Sequence, residues 1–167
     1  MQLPEDYYGS APSAGVEFPA RPQDVASTKA IIDAMYECLS GPAGQPRNWN
    51  RMRSLCVVRN HSIRTGKLPD GRVACKIMNT DEYIRQMEPW LLENGFFETE
   101  IHRTEERFGN IAHVMSTYES RRKANDPKPF MRGINSYQLL FDENRWWVIN
   151  VMWQHESEEF PIPSKYL

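Results

Sequence analysis

The chain has 167 residues, of which 40% are hydrophobic and 25% charged, and its formal net charge is -2. These values indicate one globular domain with a core large enough to fold without disulfides or bound metals. The near-neutral charge balance argues against a nucleic-acid groove, and no apolar run approaches the roughly 20 residues that a membrane span needs.

The cysteines and histidines give little support for a metal site. Cys38, Cys56 and Cys75 are odd in number and form no C-x-x-C pair, which is typical of small buried thiols in a reducing compartment. His61 and His102 have no companion at ligand spacing, and the sequence has no P-loop or dinucleotide fingerprint. We therefore expect no metal and no cofactor. The N-terminus lacks an apolar secretory segment, so we expect a cytoplasmic protein.

In chain order, residues 1–22 are rich in Pro, Gly, Ala and Ser, which predicts a flexible arm. A domain is predicted over residues 23–167. Apolar residues at helical spacing predict a first helix from Asp24, as its cap, to Leu39. A short second helix is predicted from about Arg47 to Leu55.

The middle of the chain mixes loop and helix signals. Arg59–Arg72 contains Gly and Pro and predicts a loop with a brief strand, and Arg72–Ile77 predicts another short strand. A third helix is predicted from Thr80 to about Glu93, because acidic residues in its first turn are favoured by the helix dipole.

After Gly95 the periodicity changes to alternation, which predicts a meander of four strands over Phe96–Gln154. Gly109-Asn110 and Glu143-Asn144 are the expected tight turns of its first and last hairpins. The proline-containing tail Phe160–Leu167 is expected to be extended. Helices followed by strands indicate an α+β fold with three N-terminal helices packed on an antiparallel sheet.

Four strings carry a resemblance to a known group of proteins: YECLSGPAGQPRNWNRMRSLC, ERFGNIAHVMSTYESR, RGINSYQLLFDENRWWVIN and PIPSKYL. With the element order, they resemble the nuclear-transport-factor-2-like (SnoaL-like) superfamily, and in particular a group of uncharacterised bacterial members, over residues 24–167. The resemblance implies a cone-shaped fold with a curved sheet. The superfamily contains isomerases, dehydratases, cyclases and non-enzymatic members, and many form homodimers through the sheet. Fold alone does not decide among these functions.

The chain departs from the superfamily's enzymes at the general base. Their polyketide cyclases and ketosteroid isomerases use an Asp in the pocket, and the predicted strands contain no Asp inside the sheet, since Asp142 falls in a hairpin. The isomerase mechanism therefore has no residue to which it can be transferred directly.

The pleat predicts which side chains share the concave face, because neighbours along a strand point to opposite sides. Taking Gly109-Asn110 and Glu143-Asn144 as two-residue turns, we assign the pocket to Ile101 and a set of polar side chains, which Trp49 from the second helix would help to close. These predicted ligand-binding residues are Trp49, Arg103, Ser116, Tyr118, Asn135, Tyr137 and Asn150. Polar groups on an apolar wall predict a site for a largely apolar ligand with a carbonyl or carboxylate.

Two alternatives remain open at this point. One is a cofactor-independent isomerase, dehydratase or cyclase, with Glu105 or His113 as base and Glu106 directly opposite His113. The other is a structural dimerisation domain. The last strand is apolar on both faces, so we expect a homodimer through an outer patch of Trp147, Ile149, Val151 and Trp153.

Overall fold

The computed structural model describes residues 9–167. Residues 1–8 of the predicted flexible arm lie outside the described residues, and the flexibility of the arm stays a prediction. Residues 9–21 contain turns and bends, and the Phe18 ring lies 5.9 Å from the Arg53 guanidinium carbon. This part of the arm therefore contacts the domain.

Within residues 9–167, three α-helices lie where the sequence predicts them; the first two begin later than predicted, and the third has its predicted bounds. They are α1 (Thr28–Leu39), α2 (Trp49–Leu55) and α3 (Thr80–Glu93). α3 begins with a capping box in which Asn79 and Glu82 each bond the other's backbone N–H. Their apolar sides pack on one face of the sheet, with α1 against the end of the sheet opposite to α2 and α3.

The predicted start of the first helix at Asp24 is wrong. Asp24 ends a 3₁₀ turn that begins at Pro22, and its carboxylate binds Arg51 at 2.7 and 3.0 Å. α1 instead begins after Ser27, whose Oγ accepts a hydrogen bond from the N–H of Ala30 at 3.1 Å. The buried ion pair takes the carboxylate away from the role of cap.

In the described part of the chain, six strands form one curved mixed sheet in the order β2-β1-β6-β5-β4-β3. Their bounds are β1 Cys56–Lys67, β2 Val73–Met78, β3 Phe97–Phe108, β4 Ile111–Arg121, β5 Met131–Phe141 and β6 Trp146–His155. All neighbours are antiparallel except β1 and β6, which are parallel. The α+β class and the four-strand meander are confirmed.

β1 corrects the predicted loop over Arg59–Arg72. It is a 12-residue strand that pairs with β6 on one side and β2 on the other. Its sequence lacks clean alternation because its register against β6 shifts between Cys56 and His61. The strand brings Ser62 and Arg64 opposite Val151 and Trp153 of β6.

Two further bulges alter the predicted faces of the meander. Ile101 is an extra residue in β3, because Glu100 pairs with Tyr118 and His102 pairs with Thr117. Ile149 is an extra residue in β6, between Val148 opposite Leu139 and Asn150 opposite Gln138. Each bulge moves the residues beyond it to the other face relative to uninterrupted alternation. The predicted pairings nearer the hairpins, such as Arg103 with Ser116, are confirmed.

The bulge at Ile149 removes most of the predicted outer patch. Val151 and Trp153 lie on the inner face, which the helices cover, and Trp147 is buried with its Nε1 donating to Asp142 at 2.7 Å. Ile149, the bulged residue, is only partly exposed. The homodimer itself stays a prediction, and this apolar patch no longer supports it.

The C-terminal tail crosses the outer side of the sheet. The Thr117 hydroxyl of β4 donates to the Tyr166 carbonyl at 2.8 Å, and Ile162 is buried. The tail is extended as predicted until a 3₁₀ turn over Ser164–Tyr166. Among the helices of residues 9–167, none is long and apolar enough to cross a membrane.

Candidate functional site

A cavity of about 470 Å³ lies between the helices and the inner face of the sheet. This volume is within the range of sites for small organic ligands. Methionines and aromatic rings form most of its wall, and they come from all three helices and from the sheet. Examples are Met35, Met52, Met87, Tyr83, Trp90 and Trp153. Flexible thioethers allow such a wall to adapt to the shape of an apolar ligand.

Among residues 9–167, Glu98 is the one carboxylate that lines this cavity. It lies near the start of β3, where its backbone N–H donates to Ser40 Oγ at 3.0 Å, and it is 8% exposed. Its Oε1 receives a long contact of 3.5 Å from Asn135 Nδ2, and no salt bridge within residues 9–167 includes it. Burial raises the pKa of Glu98 to about 8, and the Asn135 contact opposes this rise. Near neutral pH the carboxyl group is therefore mostly protonated and can donate a hydrogen bond.

A chain of hydrogen bonds runs from Glu98 toward the surface. Asn135 Nδ2 also donates to Tyr36 Oη at 3.1 Å, which lies 2.6 Å from Ser116 Oγ. Ser116 in turn donates to Glu100 Oε1 at 2.6 Å. A second, open groove of about 700 Å³ lies beside α1 and β3, and both Tyr36 and Glu98 line it. Glu98 thus lies between the cavity and a solvent-filled groove.

Three tyrosine rings present their hydroxyl groups near the cavity: Tyr83, Tyr118 and Tyr137. Within residues 9–167, no hydrogen bond to another side chain or to the backbone involves these hydroxyls. Burial raises the pKa of each, so they remain neutral donors over the physiological range. They can therefore bind a ligand oxygen without first breaking a protein contact.

Gly133 makes room for one of these hydroxyls. A Cβ at this position would lie 2.4 Å from Tyr118 Oη and 2.5 Å from the Gln154 carbonyl oxygen. A side chain at position 133 would therefore displace the Tyr118 ring from its place on the cavity wall.

Of the predicted ligand-binding residues, Tyr118, Asn135 and Tyr137 line the cavity. Their role in binding stays a prediction. Ser116 is fully buried behind the wall, in contact with Tyr36. Arg103 lines the outer groove, where it binds Glu100.

Trp49 and Asn150 lie elsewhere. Trp49 is packed in the core, and its Nε1 donates to Glu88 at 2.9 Å. Met52 of the same helix lines the cavity instead. Asn150 follows the bulge at Ile149 and pairs with Gln138 on the outer face.

The predicted bases do not reach the cavity. Glu105 accepts a hydrogen bond from the Thr28 hydroxyl at 2.8 Å at the edge of α1, and it lies 3.9 Å from Arg103. His113 lies on the outer face, where Nε2 is 2.9 Å from Ser136 Oγ, and Glu106 is exposed opposite it. Alternation counted from the Gly109-Asn110 turn predicted the pairing of Glu106 with His113 correctly. Neither residue, however, lines the cavity.

Sequence reasoning missed Glu98, Arg64 and His155, which all line the cavity. Glu98 was hidden by the bulge at Ile101, and Arg64 by the predicted loop. One signal pointed to Glu98: Phe96, two residues earlier, is an apolar residue of the kind that faces inward. Within residues 9–167 no three His, Cys, Asp or Glu side chains cluster as metal ligands would.

Comparison with solved structures shows the NTF2-like fold. A crystal structure of an NTF2-like protein of unknown function from Silicibacter pomeroyi superposes with a TM-score of 0.52 at 15% identity, over 78% of this chain and 94% of that one. A proposed ketosteroid isomerase from Parabacteroides distasonis gives 0.51 at 13% identity, over 78% and 89%. A proposed scytalone dehydratase from Novosphingobium aromaticivorans gives 0.50 at 13% identity, over 76% and 79%.

No protein-family model matches the chain, and no curated protein sequence matches it. At these identities the solved structures establish the fold and leave the activity to be argued from the cavity.

Proposed function

We propose that the cavity binds a small, largely apolar molecule that carries a carbonyl oxygen. The observation that supports this most strongly is Glu98, a buried carboxyl group without a cationic partner among the described residues, at an apolar cavity. A buried polar group is costly unless it is hydrogen-bonded, and a ligand oxygen would provide the missing partner.

The donors at the cavity favour a neutral acceptor. Protonated Glu98 and the hydroxyls of Tyr118 and Tyr137 line the same cavity, and each can donate a hydrogen bond to a ligand oxygen. The apolar wall supplies binding free energy of about 25 cal/mol for each Å² of ligand surface that it covers. A cavity of about 470 Å³ also favours binding over a purely structural dimerisation role, for which a side-chain-filled cone would be expected.

A matched pair of neutral probes tests this proposal. We expect 2-acetonaphthone to bind and to quench tryptophan fluorescence, because Trp90 and Trp153 line the cavity. 2-Ethylnaphthalene, which has no carbonyl, should bind about tenfold more weakly, the order expected for one lost hydrogen bond. Glu98→Leu should remove this difference, whereas Glu106→Gln on the outer face should preserve it. Equal binding of both probes to the wild-type protein would contradict the proposal.

Proton transfer is the second candidate function, and the position of Glu98 favours it. Its carboxyl group has a pKa near neutrality and lies between the cavity and a groove open to solvent, as an acid–base group needs. The deprotonated carboxylate would remove a proton from the carbon beside a bound carbonyl, and the tyrosine hydroxyls would stabilise the resulting enolate. This is the shared first step of a cofactor-independent isomerase or dehydratase.

Hydrogen exchange separates catalysis from binding. In D₂O, the wild-type protein should accelerate deuterium incorporation into the methyl group of 2-acetonaphthone, followed by NMR. Glu98→Gln, whose amide can still donate, should bind the probe but lose the acceleration. Exchange at the buffer rate with bound wild-type protein would leave binding as the function and rule out this proton transfer.

A further inference from the structure

Besides the polar group at Glu98 on β3, the cavity has a second polar pole on the strands at the other end of the sheet. Arg64 of β1 and His155 of β6 line this part, and Arg64 is exposed to solvent there. β1 and β3 are four strand spacings apart, a path of about 19 Å along the sheet. The two poles therefore lie on different walls of one cavity.

Arg64 is the one arginine or lysine among the lining residues, and its charge is not neutralised within the described part of the chain. No hydrogen bond or salt bridge within residues 9–167 includes its guanidinium group. Arg103 in the outer groove differs, because Glu100 binds it at 2.8 Å. A guanidinium at an apolar cavity with its five N–H donors unused by protein acceptors is suited to a carboxylate.

The neighbours of Arg64 support the same chemistry. Burial lowers the pKa of His155, and the positive charge of Arg64 lowers it further, so this imidazole is neutral at physiological pH and can donate one N–H. Burial and the charge of Glu98 raise the pKa of Tyr118, and the charge of Arg64 lowers it. Within residues 9–167 the Tyr118 hydroxyl has no hydrogen-bond partner. Tyr118 therefore lies between the two poles, and Gly133 keeps its hydroxyl in place.

We infer that Arg64, assisted by His155, binds a carboxylate group, so that the ligand of this cavity is an apolar keto acid. The inference rests on the proposed function, since Glu98 and the tyrosines bind the carbonyl oxygen of the same molecule. The apolar body of the ligand then lies against the methionine and aromatic wall of the cavity.

A short series of aryl keto acids tests the inference: 4-oxo-4-phenylbutanoic, 5-oxo-5-phenylpentanoic and 6-oxo-6-phenylhexanoic acid, each with its methyl ester. The dissociation constants are measured by tryptophan fluorescence at pH 7. We expect at least one acid to bind tenfold or more tightly than its ester. Arg64→Gln should weaken that acid by tenfold or more and leave the ester unchanged. Arg59→Gln is the matched control, because Arg59 is an exposed residue of the same strand that does not line the cavity.

The outcomes separate the two proposals. If acid and ester bind equally and Arg64→Gln changes neither, the carboxylate site is wrong while carbonyl binding stands. If Glu98→Leu changes no affinity and Arg64→Gln weakens every acid, the carboxylate site stands and the carbonyl proposal fails. If no acid or ester of the series binds to the wild-type protein, both are overturned.

Discussion

Glu98 and Glu100 are two residues apart on the same face of β3, yet they have opposite surroundings. Glu100 receives two N–H bonds from Arg103 at 2.8 and 3.0 Å and a third bond from Ser116 at 2.6 Å. Glu98 has only the 3.5 Å contact with Asn135 and no cationic partner within the described residues. One carboxylate is neutralised by the protein, and the other is left for a proton or a ligand.

The difference separates a structural acid from a functional candidate. Ion-paired carboxylates stabilise local geometry, whereas a buried carboxyl group without a cation costs stability whenever it ionises. Such a cost is retained in active and binding sites more often than elsewhere. The contrast between Glu98 and Glu100 is testable, and ionisation of Glu98 should give its largest effect.

Ionisation of Glu98 should make stability fall with increasing pH. Its folded pKa of about 8 is above its ordinary value of 4.5, so its contribution is complete below pH 4.5 and is lost as the pH rises through 8. The difference of 3.5 units (8 minus 4.5) corresponds to a loss on the order of 5 kcal/mol between pH 4.5 and 9. Urea unfolding at several pH values measures it.

The variant Glu98→Gln should remove this dependence and be more stable than the wild-type protein at pH 9. The titratable side chains facing Glu98 are Tyr36, Tyr83, Tyr118 and Tyr137, and burial raises the pKa of each, so they stay neutral over this range. Glu100→Gln is the matched control and should keep the wild-type slope. A wild-type slope that persists in Glu98→Gln would show that Glu98 is not the unpaired acid.

Removing Arg103 tests the other side of the contrast. Arg103→Ala leaves Glu100 without its cation while its side chain is only 14% exposed, so we expect a loss of about 2 to 3 kcal/mol. The double variant Arg103→Ala with Glu100→Gln should recover at least half of that loss, because no uncompensated charge remains. Thermal unfolding of the single and double variants provides the measurement. No recovery would mean that packing of the Arg103 stem, not charge, stabilises the groove.

The sequence predicted the meander and its hairpins. Alternation from Gly109-Asn110 placed Tyr118 on the inner face, and alternation from Glu143-Asn144 placed Asn135 and Tyr137 there. It failed at Ile101 and Ile149, because a bulge at an isoleucine carries no glycine or proline to reveal it. The first bulge moved Glu98 and Glu100 to the inner face, and the second moved Val151 and Trp153 there. Long-range pairing sets these registers, and local sequence does not encode it.

Arg64 was missed for a related reason. Its strand pairs with β2 and, on its other side, with β6, which lies about 90 residues later in the chain. The place of Arg64 at the cavity depends on that distant partner, which the local pattern does not reveal. The fold class was thus predictable from local signals, whereas both poles of the cavity depend on pairing between distant strands.

The smallest expected effect distinguishes two buried tyrosine hydroxyls. Tyr36 Oη bonds Ser116 at 2.6 Å and Asn135 at 3.1 Å. Tyr36→Phe should cost about 1 to 2 kcal/mol, because Asn135 Nδ2 keeps only its 3.5 Å contact with Glu98 and Ser116 keeps only its bond to Glu100. Tyr118 Oη has no protein partner within residues 9–167, and Tyr118→Phe should change the free energy of unfolding by less than about 0.5 kcal/mol. The same Tyr118→Phe change should weaken binding of 2-acetonaphthone several-fold, because its hydroxyl is available to the ligand. A Tyr118→Phe variant that loses stability while binding normally would reverse this assignment, and it would place Tyr118 with Glu100 among the residues that support the fold.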